Sequence, residues 1–380
     1  MKVVIAIDSF KGSMTSLEAG SGAAEGIKRV YPHADTVVIP VADGGEGTVD
    51  ALVLGMGGTK ECVKTKDPLG RDIEAYYGIV GNTAVMEMAA ASGITLVKED
   101  ERNPLNTSTY GFGLMILSAI EKGCRKFVIG IGGSATNDGG VGMLSALGFE
   151  FLDKKGEVVE PGAKGLENLC SIKANKALKE LKECSFSIAC DVTNPLCGKD
   201  GCSWVYGPQK GATDKMVKDM DSWLSGYALL AKTINPMADE NAPGAGAAGG
   251  MGFAFMTFLG GELKSGIDLI LRETRIEEHI KTADLVITGE GRLDFQTAMG
   301  KAPAGIAAIA KKHKKPVIAF AGGVTPEAKA VHGAGIDAYF PIVRGVCTLA
   351  DAMDNANARS NMADSVEQAL RLIKKYEQNQ

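Results

Sequence analysis

Apolar runs of four or five residues recur along the chain, and five of them end in loops rich in glycine and in acid, amide or hydroxyl side chains. Val3-Val4-Ile5-Ala6-Ile7 leads into Asp8-Ser9-Phe10-Lys11-Gly12-Ser13. Val37-Val38-Ile39-Pro40-Val41 leads into Asp43-Gly44-Gly45-Glu46-Gly47. Phe127-Val128-Ile129-Gly130-Ile131 leads into Gly132-Gly133-Ser134-Ala135-Thr136-Asn137-Asp138-Gly139-Gly140. Leu285-Val286-Ile287-Thr288 precedes Gly289-Glu290-Gly291-Arg292-Leu293-Asp294, and Val317-Ile318-Ala319-Phe320 precedes Gly322-Gly323. Short β-branched runs followed by helical spacing predict buried parallel strands in βα units. In an open parallel sheet the carboxyl ends of the strands line the ligand crevice. Five such loops on one edge predict a site for something small and negatively charged.

Between these units the pattern changes twice. Thr15-Ser16-Leu17-Glu18 has the capping-box spacing and opens a helix that Pro32 closes. A strand at 36–41 and a helix at 46–54 follow. Residues 60–88 then read as an antiparallel meander: 61–65, a Pro68-Leu69-Gly70 turn, 72–80, a Gly81-Asn82 turn, and 83–88. Helical spacing returns at 109–122 behind a Thr107-Ser108 cap, and a helix near 140–147 is closed by Gly148. From 149 to 265 the rhythm weakens to a helix at 174–183, a strand at 186–190 and a long loop-rich stretch. Three βα-like units close the chain at 284–313, 316–334 and 336–376, with Thr325-Pro326 as a helix start. The expected class is α/β: a doubly wound parallel-sheet domain from 1–60, 95–148 and 270–380. A second α/β domain from 61–94 and 149–269 is inserted into it, with the ligand in the cleft between them.

Composition narrows the function. A chain of 380 residues fits two domains. Net charge is −5, and the longest basic clusters are Lys311-Lys312 and Lys314-Lys315, which argues against nucleic acid. Only five apolar residues in a row precede Asp8, too few for a signal peptide, and no run approaches the ~18 residues of a membrane helix. A cytoplasmic protein without membrane partners is expected. Eight scattered cysteines form no CxxC pair, and Cys197 and Cys202 have no neighbouring histidine, so reduced thiols are expected and zinc is not. The 49 glycines concentrate in loops, where backbone N–H groups can approach an anion closely.

Familiar short motifs fail. Gly244-Ala245-Gly246-Ala247-Ala248-Gly249 matches a dinucleotide fingerprint, but no buried strand precedes it. The P-loop pattern is absent, and none of the four histidines lies in a glycine loop, so a Ser-His-Asp triad has no support. The rim carries Asp8, Asp43, Asp138, Asp191 and Asp294, with Lys11, Lys210 and Lys301 beside glycines or in loops. An Asx-turn or helix cap accounts for any one such aspartate. Taken together they match the inventory of phosphoryl transfer: backbone donors and lysine for phosphate oxygens, carboxylates for Mg²⁺, one carboxylate at the acceptor hydroxyl.

Longer strings carry a resemblance. Asp8-Ser9-Phe10-Lys11-Gly12, Val41-Ala42-Asp43-Gly44-Gly45-Glu46-Gly47-Thr48, the 130–140 loop and Ala189-Cys190-Asp191-Val192-Thr193-Asn194-Pro195-Leu196 resemble the type-1 family of bacterial glycerate kinases. So do Pro243-Gly244-Ala245-Gly246-Ala247-Ala248-Gly249-Gly250 and Thr288-Gly289-Glu290-Gly291-Arg292-Leu293-Asp294-Phe295-Gln296-Thr297, with Gly300-Lys301-Ala302-Pro303 after them. The resemblance runs in order through essentially the whole chain. It implies a flavodoxin-like domain with an inserted α/β domain, and an ATP- and Mg²⁺-dependent kinase giving 2-phosphoglycerate from D-glycerate. Within that chemistry the candidate catalytic residues are Asp191, Asp294 and Lys11, with Asp191 or Asp294 facing the acceptor hydroxyl. Ser9, Lys11 and Arg71, with Ser108 and Thr109, are candidates for the glycerate carboxylate. Gly132, Gly133, Ser134 and Lys301 are candidates for phosphate or substrate, and Asp43 and Glu46 for the metal. Attack by the 3-hydroxyl and a non-catalytic anion-binding protein remain the alternatives.

Overall fold

The computed structural model describes residues 1–42 and 47–378. Its strands, in chain order, begin with β1 (Lys2–Ile7), β2 (Asp35–Val38), β3 (Thr59–Lys66), β4 (Asp72–Val80), β5 (Thr83–Glu87) and β6 (Lys126–Gly130). They continue with β7 (Glu150–Leu152), β8 (Ser171–Lys173), β9 (Ser185–Ala189), β10 (Glu262–Lys264), β11 (Leu285–Leu293), β12 (Val317–Val324) and β13 (Ala338–Pro341). The chain divides into two compact units, one of Met1–Asp43, Asp50–Gly57 and Ile267–Gln380, the other of Gly44–Val49 and Gly58–Gly266.

The first unit is built on a five-stranded sheet in the order β2-β1-β11-β12-β13, parallel throughout. Counted along the chain this is 2-1-3-4-5, the flavodoxin-like doubly wound order. Residues 3–7 of β1 are all buried, as a strand covered on both faces requires. The helix Ser16–Val30 begins with the expected capping box between Thr15 and Glu18. Its small residues let neighbours close in. A Cβ on Gly26 would lie 2.2 Å from the Ala363 carbonyl of the helix Asn355–Glu377, and one on Gly20 would lie 2.5 Å from Val38 Cγ1. The core gathers Val3, Ile5, Ile7, Ile27, Phe320, Met362 and Leu370.

The second unit holds a six-stranded mixed sheet, β3-β4-β5-β6-β9-β10. Its β3–β5 half is the antiparallel meander, and its β5-β6-β9-β10 half is parallel. β7 and β8 form a separate antiparallel pair. Aromatic side chains dominate this core, with Phe127 and Phe186 stacked at 4.8 Å between ring centroids.

Three expectations are corrected. Residues 95–148 do not join the first sheet, because β6 pairs with β5 and β9 in the second. A buried parallel strand followed by a helix has the same local signature in either sheet, so the pattern could not choose between them. The loop after β6 therefore does not share an edge with those after β1, β11 and β12. The expected helix at 174–183 is only a short 3₁₀ turn, Lys179–Glu183. The stretch read as loop-rich contains the 18-residue helix Asp214–Ala231 and the helix Ala247–Leu259. Among the described residues no helix is long and apolar enough to cross a membrane.

Candidate active site

At the carboxyl edge of the first sheet, backbone crowding selects glycine. A Cβ on Gly289 would lie 2.0 Å from the Phe320 carbonyl, and one on Gly322 would lie 2.7 Å from the Gly291 carbonyl. This tight pairing lets β11 run on to Leu293, well past the apolar run, in register with Gly323 and Val324. Glu290 is carried along as a strand residue and is buried with the residues before it. The Glu290 carboxylate accepts a 2.5 Å hydrogen bond from the Thr297 hydroxyl. Asp294 caps the short helix Phe295–Ala298, accepting from the Gln296 and Thr297 amides at 2.9 and 3.3 Å. Lys301 sits at the start of the 11-residue helix Ala302–Lys312. Its ammonium lies 3.8 Å from Glu290 Oε2 and 3.9 Å from Asp294 Oδ1. A helix N-terminus and a lysine ammonium both favour negative charge nearby.

The loop after β1 lies against this cluster. Asp8 is buried, receives the Ser9 amide at 2.6 Å, and donates its own amide to the Gly289 carbonyl at 2.9 Å. A tight turn pairs Phe10 with Met14 through Gly12 at φ 76°, leaving Lys11 exposed at its tip. A Cβ on Gly291 would lie 3.5 Å from Phe10 Cα and 3.8 Å from the Lys11 amide nitrogen. Ser9, Lys11, Asp294 and Lys301 thus belong to one edge of one unit.

In the second unit, Glu87, Gly130, Ala189 and Lys264 stand in register across β5, β6, β9 and β10, so the loops that follow share a sheet edge. The 132–140 loop is tied down from several sides. The Ile94 amide donates to the Gly133 carbonyl, and the Ala135 amide to the Ser92 carbonyl. The Thr107 hydroxyl donates to the Ala135 carbonyl, and the Asn137 side-chain amide to the Ser203 hydroxyl. Asp138 is fully buried and accepts from the amides of Thr109, Gly140 and Gly142 and from the Thr109 hydroxyl. Burial pushes its carboxyl upward, and the four donors oppose that rise. Ala248, Gly249 and Gly250 form a left-handed turn, and a Cβ on Gly249 would lie 2.1 Å from the Thr136 carbonyl. The glycine string that mimicked a dinucleotide fingerprint is thus a packing surface for the 132–140 loop. Gly132 and Gly133 stay exposed, and no bond from their amides to a backbone acceptor is found among the described residues.

The remaining candidates divide. Asp191, at the end of β9, is exposed and accepts the Gly266 amide at 3.0 Å. Arg71 is spent within the unit: Nε binds Asp67 at 2.5 Å, Nη1 binds Glu101 at 3.2 Å and Nη2 binds the Leu96 carbonyl at 3.1 Å. It fastens the 67–71 turn rather than presenting a free fork. Thr109 is fully buried, donating to Asp138 and accepting from the Met143 amide, which makes it scaffold rather than a substrate contact. Ser108 is buried, and its hydroxyl accepts from the Tyr110 amide at 3.2 Å. Asp43 and Glu46, the expected metal ligands, lie outside the described residues. Glu290, in what reads as a glycine-rich loop after Thr288, is a buried strand residue because β11 extends to Leu293. All eight cysteines are free thiols.

A flavodoxin-like sheet with an inserted mixed-sheet unit, both bearing glycine-rich strand-end loops set with acids and lysines, defines a class of α/β enzyme that handles small anions. The profile of the glycerate kinase family matches residues 3–374. The chain is 46% identical over 358 residues to glycerate 2-kinase of Escherichia coli K12, covering 94% of each. It is 45% identical over 376 residues to glycerate kinase of Haemophilus influenzae, covering 98% of this chain and 99% of that one. The crystal structure of a protein described as a glycerate kinase 2 from Salmonella typhimurium LT2 superposes with a TM-score of 0.92 at 43% identity. That match covers 100% of this chain and 99% of the other. The chain belongs to the glycerate kinase family.

Proposed function

We propose that the protein transfers the terminal phosphoryl group of ATP to the 2-hydroxyl of D-glycerate. The observation that carries this reading is Lys301, placed at a helix N-terminus within 4 Å of two carboxylates on the edge of a doubly wound sheet. Phosphoryl transfer is catalysed chiefly by positioning and by compensating charge on phosphate oxygens. Lys301 and the first turn of its helix supply fixed positive charge for those oxygens, and the exposed Lys11 adds a second. Either Asp294 or Asp191 accepts the proton of the attacking hydroxyl. The exposed amides of Gly132 and Gly133 suit an anionic group.

Mg²⁺ favours a pair of carboxylates completed by water and phosphate oxygens. Glu290 and Asp294, drawn to one ammonium, are oxygen donors of that kind, although no group of three or more candidate ligands occurs among the described residues. They fit the ion as a two-carboxylate set where Asp191 is the base, and Asp43 and Glu46 are further candidates. When bound, Mg²⁺ would neutralise charge on the β- and γ-phosphate oxygens. The name of one relative, the glycerate 2-kinase of Escherichia coli, favours the 2-hydroxyl over the 3-hydroxyl. Function in the cytoplasm, with ATP and glycerate as the small-molecule partners, completes the reading. An ADP-release assay with D-glycerate and MgATP tests it, and turnover independent of glycerate would refute it.

A further inference from the structure

One charged side chain in the second unit has no part in the roles above. Lys210 ends the short turn Pro208–Lys210 and is only 2% exposed. Gly211 follows at φ 93°, where a Cβ would lie 2.2 Å from the Arg102 carbonyl, so the turn packs closely against Arg102 and requires glycine. A lysine at a surface extends its head into water. This one instead donates to the Ser134 hydroxyl at 2.9 Å and to the Thr136 carbonyl at 2.6 Å. Both acceptors are neutral, and burying an ammonium against neutral acceptors is costly. Burial accordingly lowers Lys210 to about 8, against the pull of its charged or ionisable neighbours Cys202 and Asp138.

The consequence falls on Ser134. A hydroxyl carries one proton and two lone pairs, and a bond accepted from Lys210 turns its own proton away from Nζ. Lys210 is the one partner found for that hydroxyl among the described residues. Beside it, a Cβ on Gly132 would meet nothing within 4 Å, which marks open space at the loop. Thr136 Oγ1 and Asn137 Oδ1 in the same loop, and Oγ of Ser92, whose carbonyl accepts from the Ala135 amide, are buried without a hydrogen-bond partner. Buried polar atoms are rarely left so unless water or a ligand completes them.

We propose that Lys210 is a positioning residue. Its ammonium fixes and polarises the Ser134 hydroxyl, which then donates, with the Gly132 and Gly133 amides, to an anionic oxygen of a bound carboxylate or phosphate. The kinase reading supplies the names of those ligands, glycerate and ATP. The placement of Lys210, Ser134 and the open glycines stands without it.

The test compares wild type with Lys210→Met, Ser134→Ala and the double variant. Kinetics give KM for D-glycerate and for ATP separately, and calorimetric titrations use D-glycerate, MgATP and inorganic phosphate as probes. The expected result is a ten- to hundred-fold rise in KM for one substrate only, equal in both single variants and no larger in the double. A rise confined to glycerate identifies the bound group as its carboxylate, and one confined to ATP identifies a phosphate. Should Lys210→Met fail to fold, Ser134→Ala alone decides, since it removes one atom. Folded variants with wild-type KM and affinity for every probe would overturn the proposal. A wild type that binds these probes but shows no glycerate-dependent turnover would defeat the kinase reading, and the titrations would still judge the role of Lys210.

Discussion

Lys301 holds its ammonium 3.8 Å from the Glu290 carboxylate, inside ion-pair range yet beyond a hydrogen bond. The Thr297 hydroxyl already fixes the other Glu290 oxygen. The lysine is therefore oriented by charge without being consumed by it, which suits the phosphate-binding role proposed for it.

Lys301→Ala should lower kcat/KM by about two to three orders of magnitude, the usual cost of one fixed electrostatic donor. Its side chain is 37% exposed and its pairs are long, so stability should fall by less than about 1 kcal/mol. Steady-state kinetics beside thermal melting checks this. A large melting shift with normal kinetics would make Lys301 structural.

Asp294 has two duties that substitution can separate. Asparagine is as good a helix cap as aspartate, so Asp294→Asn should keep the cap while removing the charge. A loss of about two to four orders in kcat with unchanged melting is expected if Asp294 is the base. Asp294→Ala should additionally cost about 1 kcal/mol of stability. Asp191→Asn, which keeps an acceptor for the Gly266 amide, is the matching experiment on the second unit. Wild-type kcat in both asparagine variants would make these residues turn formers.

Much of this was legible in the chain, for reasons the elements show. The apolar runs at 3–7, 127–131 and 317–320 became β1, β6 and β12, because a strand buried on both faces leaves a continuous hydrophobic signal. The meander became β3, β4 and β5, marked by its turn residues. What the sequence could not carry was membership: β6 looks the same beside β5 as it would beside β1. Nor did it carry the depth of charged groups. Asp138 and Lys210 sit in loop sequence and are buried, while Arg71 reads as an available cation and is spent on Asp67 and Glu101. Such facts depend on contacts between residues far apart in the chain.

Asp138→Ala should be among the most destabilising changes in the second unit. It strips the acceptor from three amides and one hydroxyl in a fully buried position. Each orphaned donor costs on the order of 1–3 kcal/mol, so the total should reach several kcal/mol. Denaturant titration measures it, and a loss below about 1 kcal/mol would show that the loop is held by its other ties.

Lys210 should also leave a mark on stability against pH. Its folded value is lowered from 10.5 to about 8, so between those values the unfolded chain binds the proton that the fold has released. Stability from this group therefore rises as pH climbs from about 8 to 10.5 and is flat outside that window. Lys210→Met should abolish the rise, as seen by comparing denaturation midpoints at pH 8 and 10. Identical pH profiles for the two proteins would mean that Lys210 is not the buried lysine described.

The central claim is that this family member phosphorylates D-glycerate, and at which oxygen. Phosphorus NMR of a reaction containing the protein, D-glycerate and MgATP reads both at once. The account predicts ADP and 2-phosphoglycerate in equal amounts, with no turnover when glycerate or Mg²⁺ is withheld. Accumulation of 3-phosphoglycerate would contradict the choice of hydroxyl, and no phosphorylated glycerate at all would contradict the function.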